Sequence, residues 1–305
     1  MNFLLSKDEM KEVFAAISKD FETFGTIEKE GEVIFDKVND FEHISEKRSR
    51  YAPKEFLIKR NENVLLLEEQ TRRAVFGVKS CDLKGFYQMD KQILGKDPFY
   101  TERREKTLFV NFVCNEPCDG GFCTSFGGPI LDQYDLQVLR DGKDYHIMVS
   151  DKFKEYFNDY REEGDSFFSR FSESFNSKMD VLPVDGLEGR MKWNSGLWKE
   201  FASRCISCGA CNFSCPTCYC FDLYDDENER KREWDSCILS GFTSSSAGNV
   251  RKDLDERLRQ RFYHKYVYFK KSKGEYLCTG CNRCVEDCPV GIDIKEVITH
   301  DYSIE

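Results

Sequence analysis

The sequence predicts an α+β protein: a strand-rich N-terminal domain (1-150), a helical connector (151-196) and an α-helical C-terminal domain (197-305) organised around cysteines. Three observations carry this. Short apolar runs bounded by charged or glycine-containing turns fill the first half, helical spacing of apolar residues dominates the last third, and eleven of the fifteen cysteines lie between Cys205 and Cys288.

Ser6 with Glu9 reads as a capping box, and Met10, Val13, Phe14 and Ile17 recur at helical spacing, so the chain is expected to open with an amphipathic helix. From Thr26 to Val149 the runs "GEVIF", "EFLI", "NVLLL", "AVFGV", "TLFVNFV", "LQVLR" and "YHIMV" predict strands. A helix follows Cys81 in "DLKGFYQMDKQIL", with Asp82 near its start, and "LQVLRDGKDYHIMV" predicts a hairpin turning at Asp141-Gly142. The Phe-rich stretch "DKFKEYFNDYREEGDSFFSRFSESF" suits two short helices. Beyond "SGLWKEFASR", Leu254, Leu258 and Phe262 step by four along one buried helical stripe.

A composition of 40% hydrophobic and 33% charged residues is that of a soluble globular chain long enough for two ordinary domains. No apolar run reaches the roughly 18 residues of a membrane span, and "MNFLLSKDEMKEVF" turns charged too early for a secretory signal. A cytoplasmic protein with no membrane partner is therefore expected. A formal charge of -10 and a pI near 5.2 give no general attraction to phosphate backbones, so no nucleic-acid partner is expected either. Fifteen cysteines in such a chain point to metal, because cytosolic thiols stay reduced.

Cys205, Cys208, Cys211 and Cys215-Pro216 match C-x2-C-x2-C-x3-C-P, and Cys278, Cys281, Cys284 and Cys288-Pro289 match it again. Three thiolates at three-residue steps wrap one cubane, while the fourth, followed by Pro, belongs to the other. Two 4Fe-4S clusters with crossed ligands follow. One takes Cys205, Cys208, Cys211 and Cys288; the other takes Cys278, Cys281, Cys284 and Cys215. A zinc module shares the C-x2-C pairs but has no need of a third equally spaced cysteine.

Residues 216 to 277, 62 of them, separate the motifs and read as helical, giving a helical ferredoxin-like dicluster arrangement that resembles the iron-sulfur subunits of fumarate reductase and heterodisulfide reductase. Arg251, Arg257, Arg259, Arg261, His264 and Lys265 in this insert offset cluster charge, form a docking face, or line a solvated helix face.

"RCISCGACNFSCPTCYCFDLYD", "REWDSC", "ERLRQRFYHK" and "CTGCNRCVEDCPVGI", with "VFGVKSCDLKGFYQMD" and "CNEPCDGGFCTSFGG" in the first half, resemble the iron-sulfur subunit of anaerobic sulfite reductase and the related beta subunit of sulfhydrogenase. That family usually carries a C-F-C element where this chain has Gly121, and Cys118 stands three residues earlier. Cys81, Cys114, Cys118 and Cys123 still number four, so a third 4Fe-4S site built from loops at strand ends is expected.

The remaining cysteines, Cys218, Cys220 and Cys237, are either thiols lining a dry wall beside the clusters or members of a further metal site completed by His264 or a partner. The resemblance implies an electron-transfer subunit of anaerobic sulfite reductase. It would take electrons from an NADH-oxidising flavoprotein subunit and pass them to a sirohaem subunit that reduces sulfite to sulfide. The alternative is the equivalent subunit of a sulfhydrogenase, hydrogenase or formate dehydrogenase complex, and a third class is a protein in which clusters only hold the fold. No nucleotide fingerprint occurs. No catalytic residues or substrate chemistry are expected on this chain, and His43, His146, His264 and His300 are scattered.

Overall fold

The computed structural model describes residues 1–67, 71–164 and 166–304. The first element is not the expected helix but β1 (Asn2–Ser6), after which α1 (Lys7–Asp20) starts at the predicted Ser6/Glu9 capping box and buries Met10, Val13, Phe14 and Ile17. Burial of each such side chain contributes about 1.5–3 kcal/mol. Then come β2 (Glu22–Lys29), β3 (Glu32–Lys37), β4 (Asn61–Asn63) and β5 (Arg73–Val78). They are followed by α2 (Ser80–Ile93), α3 (Pro98–Glu105), β6 (Thr107–Phe112), β7 (Leu136–Asp141) and β8 (Asp144–Val149).

Among the described residues, seven strands form one sheet in the order β1-β8-β7-β6-β5-β2-β3. The central β2, β5, β6 and β7 are parallel, and the flanking pairs are antiparallel. α1 covers one face against Phe76, Leu108, Val110 and Phe112, while α2 and α3 cover the other against Val75, Val78 and Phe109. Burial on both faces is why "AVFGV" and "TLFVNFV" read as unbroken apolar runs rather than alternating ones. Near the end of β5 the register slips at Gly77, whose φ of 83° admits few other residues; a Cβ there would sit 2.0 Å from Thr26 Oγ1. The strand thus ends in a bulge just before Cys81.

Two predicted strands are absent from their places. "EFLI" contains a 3-10 turn, Lys54–Phe56, that folds back over Leu57 and Ile58, and after β4 the leucines 65 to 67 lie exposed. Beyond β8, a 3-10 helix (Asp151–Phe157) and α4 (Ser166–Asn176) occupy the Phe-rich stretch, Asp165 lying outside the described residues.

The rest of the chain contains α5 (Leu187–Arg190), α6 (Leu197–Arg204), α7 (Ala210–Phe213), β9 (Phe221–Asp226), β10 (Glu229–Trp234) and α8 (Leu254–Tyr263). α8 continues into a π-helix (His264–Tyr268), then α9 (Phe269–Lys273), α10 (Arg283–Glu286) and α11 (Ile294–Thr299) follow. Leu258 and Phe262 bury against Trp198, Phe201, Val297 and Ile298, as the helical stripe predicts. The insert between the motifs is not all helix, because β9 and β10 form a hairpin to which β4 adds in the order β4-β10-β9. Among the described residues no helix is long and apolar enough to cross a membrane.

Candidate metal centres

The two cysteine motifs fold alike. In the first, Ser207 and Gly209 flank Cys208 with φ of 57° and 76°; in the second, Gly280 and Asn282 flank Cys281 with φ of 67° and 63°. Left-handed residues at matching positions curl each loop so that backbone N–H groups turn inward, the arrangement that receives anions. Thus Ser207 N–H lies 3.4 Å from Cys205 Sγ, and Ile292 N–H donates to Cys288 Sγ at 3.2 Å.

Each motif leads into a cavity lined by thiols of both motifs. Cys205, Cys208, Cys211 and Cys288 line the first, with the apolar side chains of Ile206, Leu258 and Val290, and Cys208 is exposed. Cys215, Cys278, Cys281 and Cys284 line the second, with Phe122 and Lys265. Cys284 and Arg261 face both cavities. On the wall of the second cavity the Thr279 hydroxyl is buried with no hydrogen-bond partner, and so is that of Thr124, next to Cys123. Spare donors beside four soft thiols fit a group that brings its own sulfide acceptors. No three Cys, His, Asp or Glu side chains among the described residues converge on a single-ion site.

Burial pushes the thiols of Cys205, Cys211 and Cys278 up, and that of Cys281 up to about 11. Iron binding there must displace protons held more tightly than on an ordinary thiol. Cys215 goes the other way. The Cys218 thiol bonded to it holds it well below an ordinary thiol against the effect of burial, aided by the Lys265 ammonium 3.2 Å away.

The four first-half cysteines come together at the carboxyl ends of two parallel strands, the usual ligand position in such sheets. Cys81 lies in the first turn of α2, Cys114 just past β6, and Cys118 and Cys123 on the loop that follows. Burial, then the nearby Cys114 and Cys118, push the Cys123 thiol up to about 12, and Cys281 contributes to both Cys123 and Cys81. The loop is seated on the second motif: Phe122 N–H donates to Gly280 O at 2.9 Å, and a Cβ on Gly280 would come within 2.4 Å of Phe122 O. A Cβ on Gly121 would lie 2.5 Å from Cys118 Sγ. The Cys118 thiol therefore fills the space that a side chain at 121 would need, which accounts for their exchange relative to the C-F-C element.

Cys218 and Cys237 both bond Asn212, which is almost fully buried, and Cys220 bonds Cys237. Asn212 Nδ2 donates to Cys237 Sγ at 3.1 Å, and its Oδ1 accepts from Arg261 Nε at 2.8 Å and from Cys218 Sγ at 3.7 Å. The Cys220 thiol holds Cys237 down to about 6, against burial and with the help of Asn212. His264 turns toward the Tyr219 hydroxyl at 3.3 Å, and burial, then Lys265, depress it to about 4. Sequence reasoning missed Asn212 and the buried Lys54, whose ammonium donates to the carbonyls of Asn212 and Cys218 at 3.0 Å. No local pattern marks either. Serine at Cys218, Cys220 or Cys237 is expected to leave iron per chain at the wild-type level, measured beside Cys208→Ser; iron loss matching that control would put the residue in a ligand set.

Residues 204–292 match the family of the 4Fe-4S dicluster domain. Over an alignment of 326 residues, spanning 96% of each chain, the protein is 28% identical to Sulfhydrogenase 2 subunit beta of Pyrococcus furiosus. No solved structure matches. The similarity to a sulfhydrogenase beta subunit thus runs through the strand-rich half as well as through residues 204–292.

Proposed function

We propose that this chain is the electron-transfer subunit of a hydrogenase-type oxidoreductase complex, relaying electrons between a nicotinamide-handling flavoprotein subunit and a terminal catalytic subunit. One observation carries it: the three cysteine sets abut in a row. Cys281 borders both the Cys81/Cys114/Cys118/Cys123 set and Cys215, while Cys284 and Arg261 face both cavities of the dicluster domain. The first set reaches solvent at Cys208, so the row runs from the surface into the strand-rich half.

Bound there, iron-sulfur clusters supply one-electron carriers that need little rearrangement. The chain's own residues hold the thiolates, turn N–H groups toward them and keep water from the second cavity. The named relative favours the sulfhydrogenase alternative over the sulfite reductase reading. Native protein purified without oxygen is expected to hold about twelve irons per chain, four per cubane, and to bring a flavoprotein and a hydrogen-activating subunit with it. A sirohaem spectrum in that material would restore the sulfite reductase reading, and eight irons would remove the third site.

A further inference from the structure

We propose that Lys265, with Arg261 one turn before it, makes the middle set (Cys215, Cys278, Cys281, Cys284) the electron sink of the row, whose cluster is reduced before either neighbour. This rests on the assignment of three cluster sites above and adds an order of reduction to it.

Lys265 is 2% exposed, and its ammonium donates to Cys215 Sγ at 3.2 Å, Thr217 Oγ1 at 2.9 Å and Leu277 O at 3.2 Å. Arg261 is 4% exposed; it donates to Asn212 Oδ1 at 2.8 Å and Cys211 O at 3.2 Å while facing both cavities. Among the described residues the hydrogen bonds of both cations go to a thiol, a hydroxyl, an amide oxygen and backbone carbonyls, none to a carboxylate. An unpaired cation at such depth is expensive to bury. The negative charge that compensates these two has to come from the thiolates and whatever those thiolates bind.

The cations near the other sets are different. At the third set Arg283 is paired with Asp82 and Arg48 with Glu286, so each adds almost no net charge, while Lys79 and Lys84 give their ammonium groups to the carbonyls of Glu46 and Phe126 rather than to a thiol. Arg257, four residues before Arg261 on the same face, spends its guanidinium on the carbonyls of Ile238, Arg251 and Lys252. At the first set solvent reaches Cys208, but water screens charge, whereas the ammonium on Cys215 acts through a dry, weakly polarisable interior. Reduction adds one negative charge, and the set in which, among the described residues, a buried ammonium donates directly to a thiol gains most from it. The π-helix supports a specific role. It begins at His264, so the residue that meets Cys215 lies in a π-turn, a feature frequent at functional sites.

The test uses the complex purified without oxygen, with iron analysis and a redox titration followed by electron paramagnetic resonance. In the wild type, the signal that Lys265 controls must be the first to appear on reduction. Lys265→Met is expected to lower the reduced-to-oxidised ratio of that one signal about tenfold at its wild-type midpoint, equivalent to about 59 mV for one electron, with smaller shifts in the other two. Lys265→Arg, which keeps the charge, is expected to stay close to wild type. Should Lys265→Met lose iron, Lys265→Gln replaces it in the same titration. Equal shifts in all signals, equal shifts for Met and Arg, or a sensitive signal that appears last would each overturn the proposal. Failure of the underlying assignment shows separately, as fewer than twelve irons or no reducible signal in the wild type.

Discussion

Cys215→Ser is expected to remove or degrade the cluster site of the second motif while leaving that of its own motif intact. Cys215 is two residues past α7 and four from Cys211, yet its thiol lines the cavity of Cys278, Cys281 and Cys284, and Cys288 lines that of Cys205, Cys208 and Cys211. The proline after each fourth cysteine directs the chain away from its own loop; Pro216 continues onto α2, where a Cβ on Gly85 would meet its ring at 2.9 Å. Each thiolate holds one iron corner, so iron per chain should fall from about twelve to between about eight and eleven, depending on whether a three-iron remnant survives. The change also strips Lys265 of its sulfur partner, which compounds the loss with an uncompensated buried ammonium. Iron analysis and electron paramagnetic resonance beside Cys208→Ser and Cys288→Ser check this. If Cys215→Ser abolishes the same signal as Cys208→Ser, each motif closes its own cubane and the crossed assignment is wrong.

Local rules carried the parts of the fold that depend on near neighbours. The Ser6/Glu9 box, the helix after Cys81, the Asp141-Gly142 hairpin and the Leu258/Phe262 stripe are all set within a few residues, and each stands where the sequence puts it. The errors fell where distant partners decide. "NVLLL" has strand composition, but β4 ends at Asn63, and Leu65, Leu66 and Leu67 pair with nothing in the sheet. "FDLYDDENERKREW" looked like part of a helical insert because its charges hide the alternation. It becomes a hairpin through contacts some 170 residues away: Arg232 and Arg103 close on Glu62, all three buried.

The same division holds at the metal centres. Motif spacing predicts two crossed sets from eight cysteines, and the structure places Cys288 on the cavity of the first motif and Cys215 on that of the second. Which cations of "RKDLDERLRQRFYHK" turn inward was not legible. Arg259 lies over the Trp193 ring at 3.9 Å while Arg261 reaches Asn212 and Lys265, one turn further on, reaches Cys215 from within a π-helix. Cys118 in place of residue 121 was legible only as a count of four. The physical reason, one thiol filling the space above a glycine, needs coordinates.

Arg283→Met is expected to destabilise the protein by about 3–5 kcal/mol, the cost of leaving one member of a buried ion pair alone. Arg283 sits in α10 between Cys281 and Cys284, and both its terminal nitrogens bond the Asp82 carboxylate, one of them at 3.0 Å; neither side chain has any exposure. Its remaining donors reach Arg50 O at 3.0 Å and Ser49 O at 3.1 Å, so no water is needed to satisfy it. Asp82 follows Cys81 in the first turn of α2, which means that this pair fastens the strand-rich half to the second motif between two thiols of adjacent sets. Methionine fills much of the arginine's volume but leaves the carboxylate with no cation in a dry site. The Asp82→Leu/Arg283→Met double variant removes both charges, and is expected to recover at least half of the lost stability, since paired removal of a buried bridge is far milder than breaking it. Denaturant unfolding of the iron-loaded protein without oxygen, followed by circular dichroism, measures Arg283→Met, Asp82→Leu and the double variant beside the wild type, which closes the cycle. A loss below about 1 kcal/mol for Arg283→Met would place the pair among weak surface-like bridges, and a double variant no better than the single would show that the arginine acts through its carbonyl contacts to Ser49 and Arg50 rather than through Asp82.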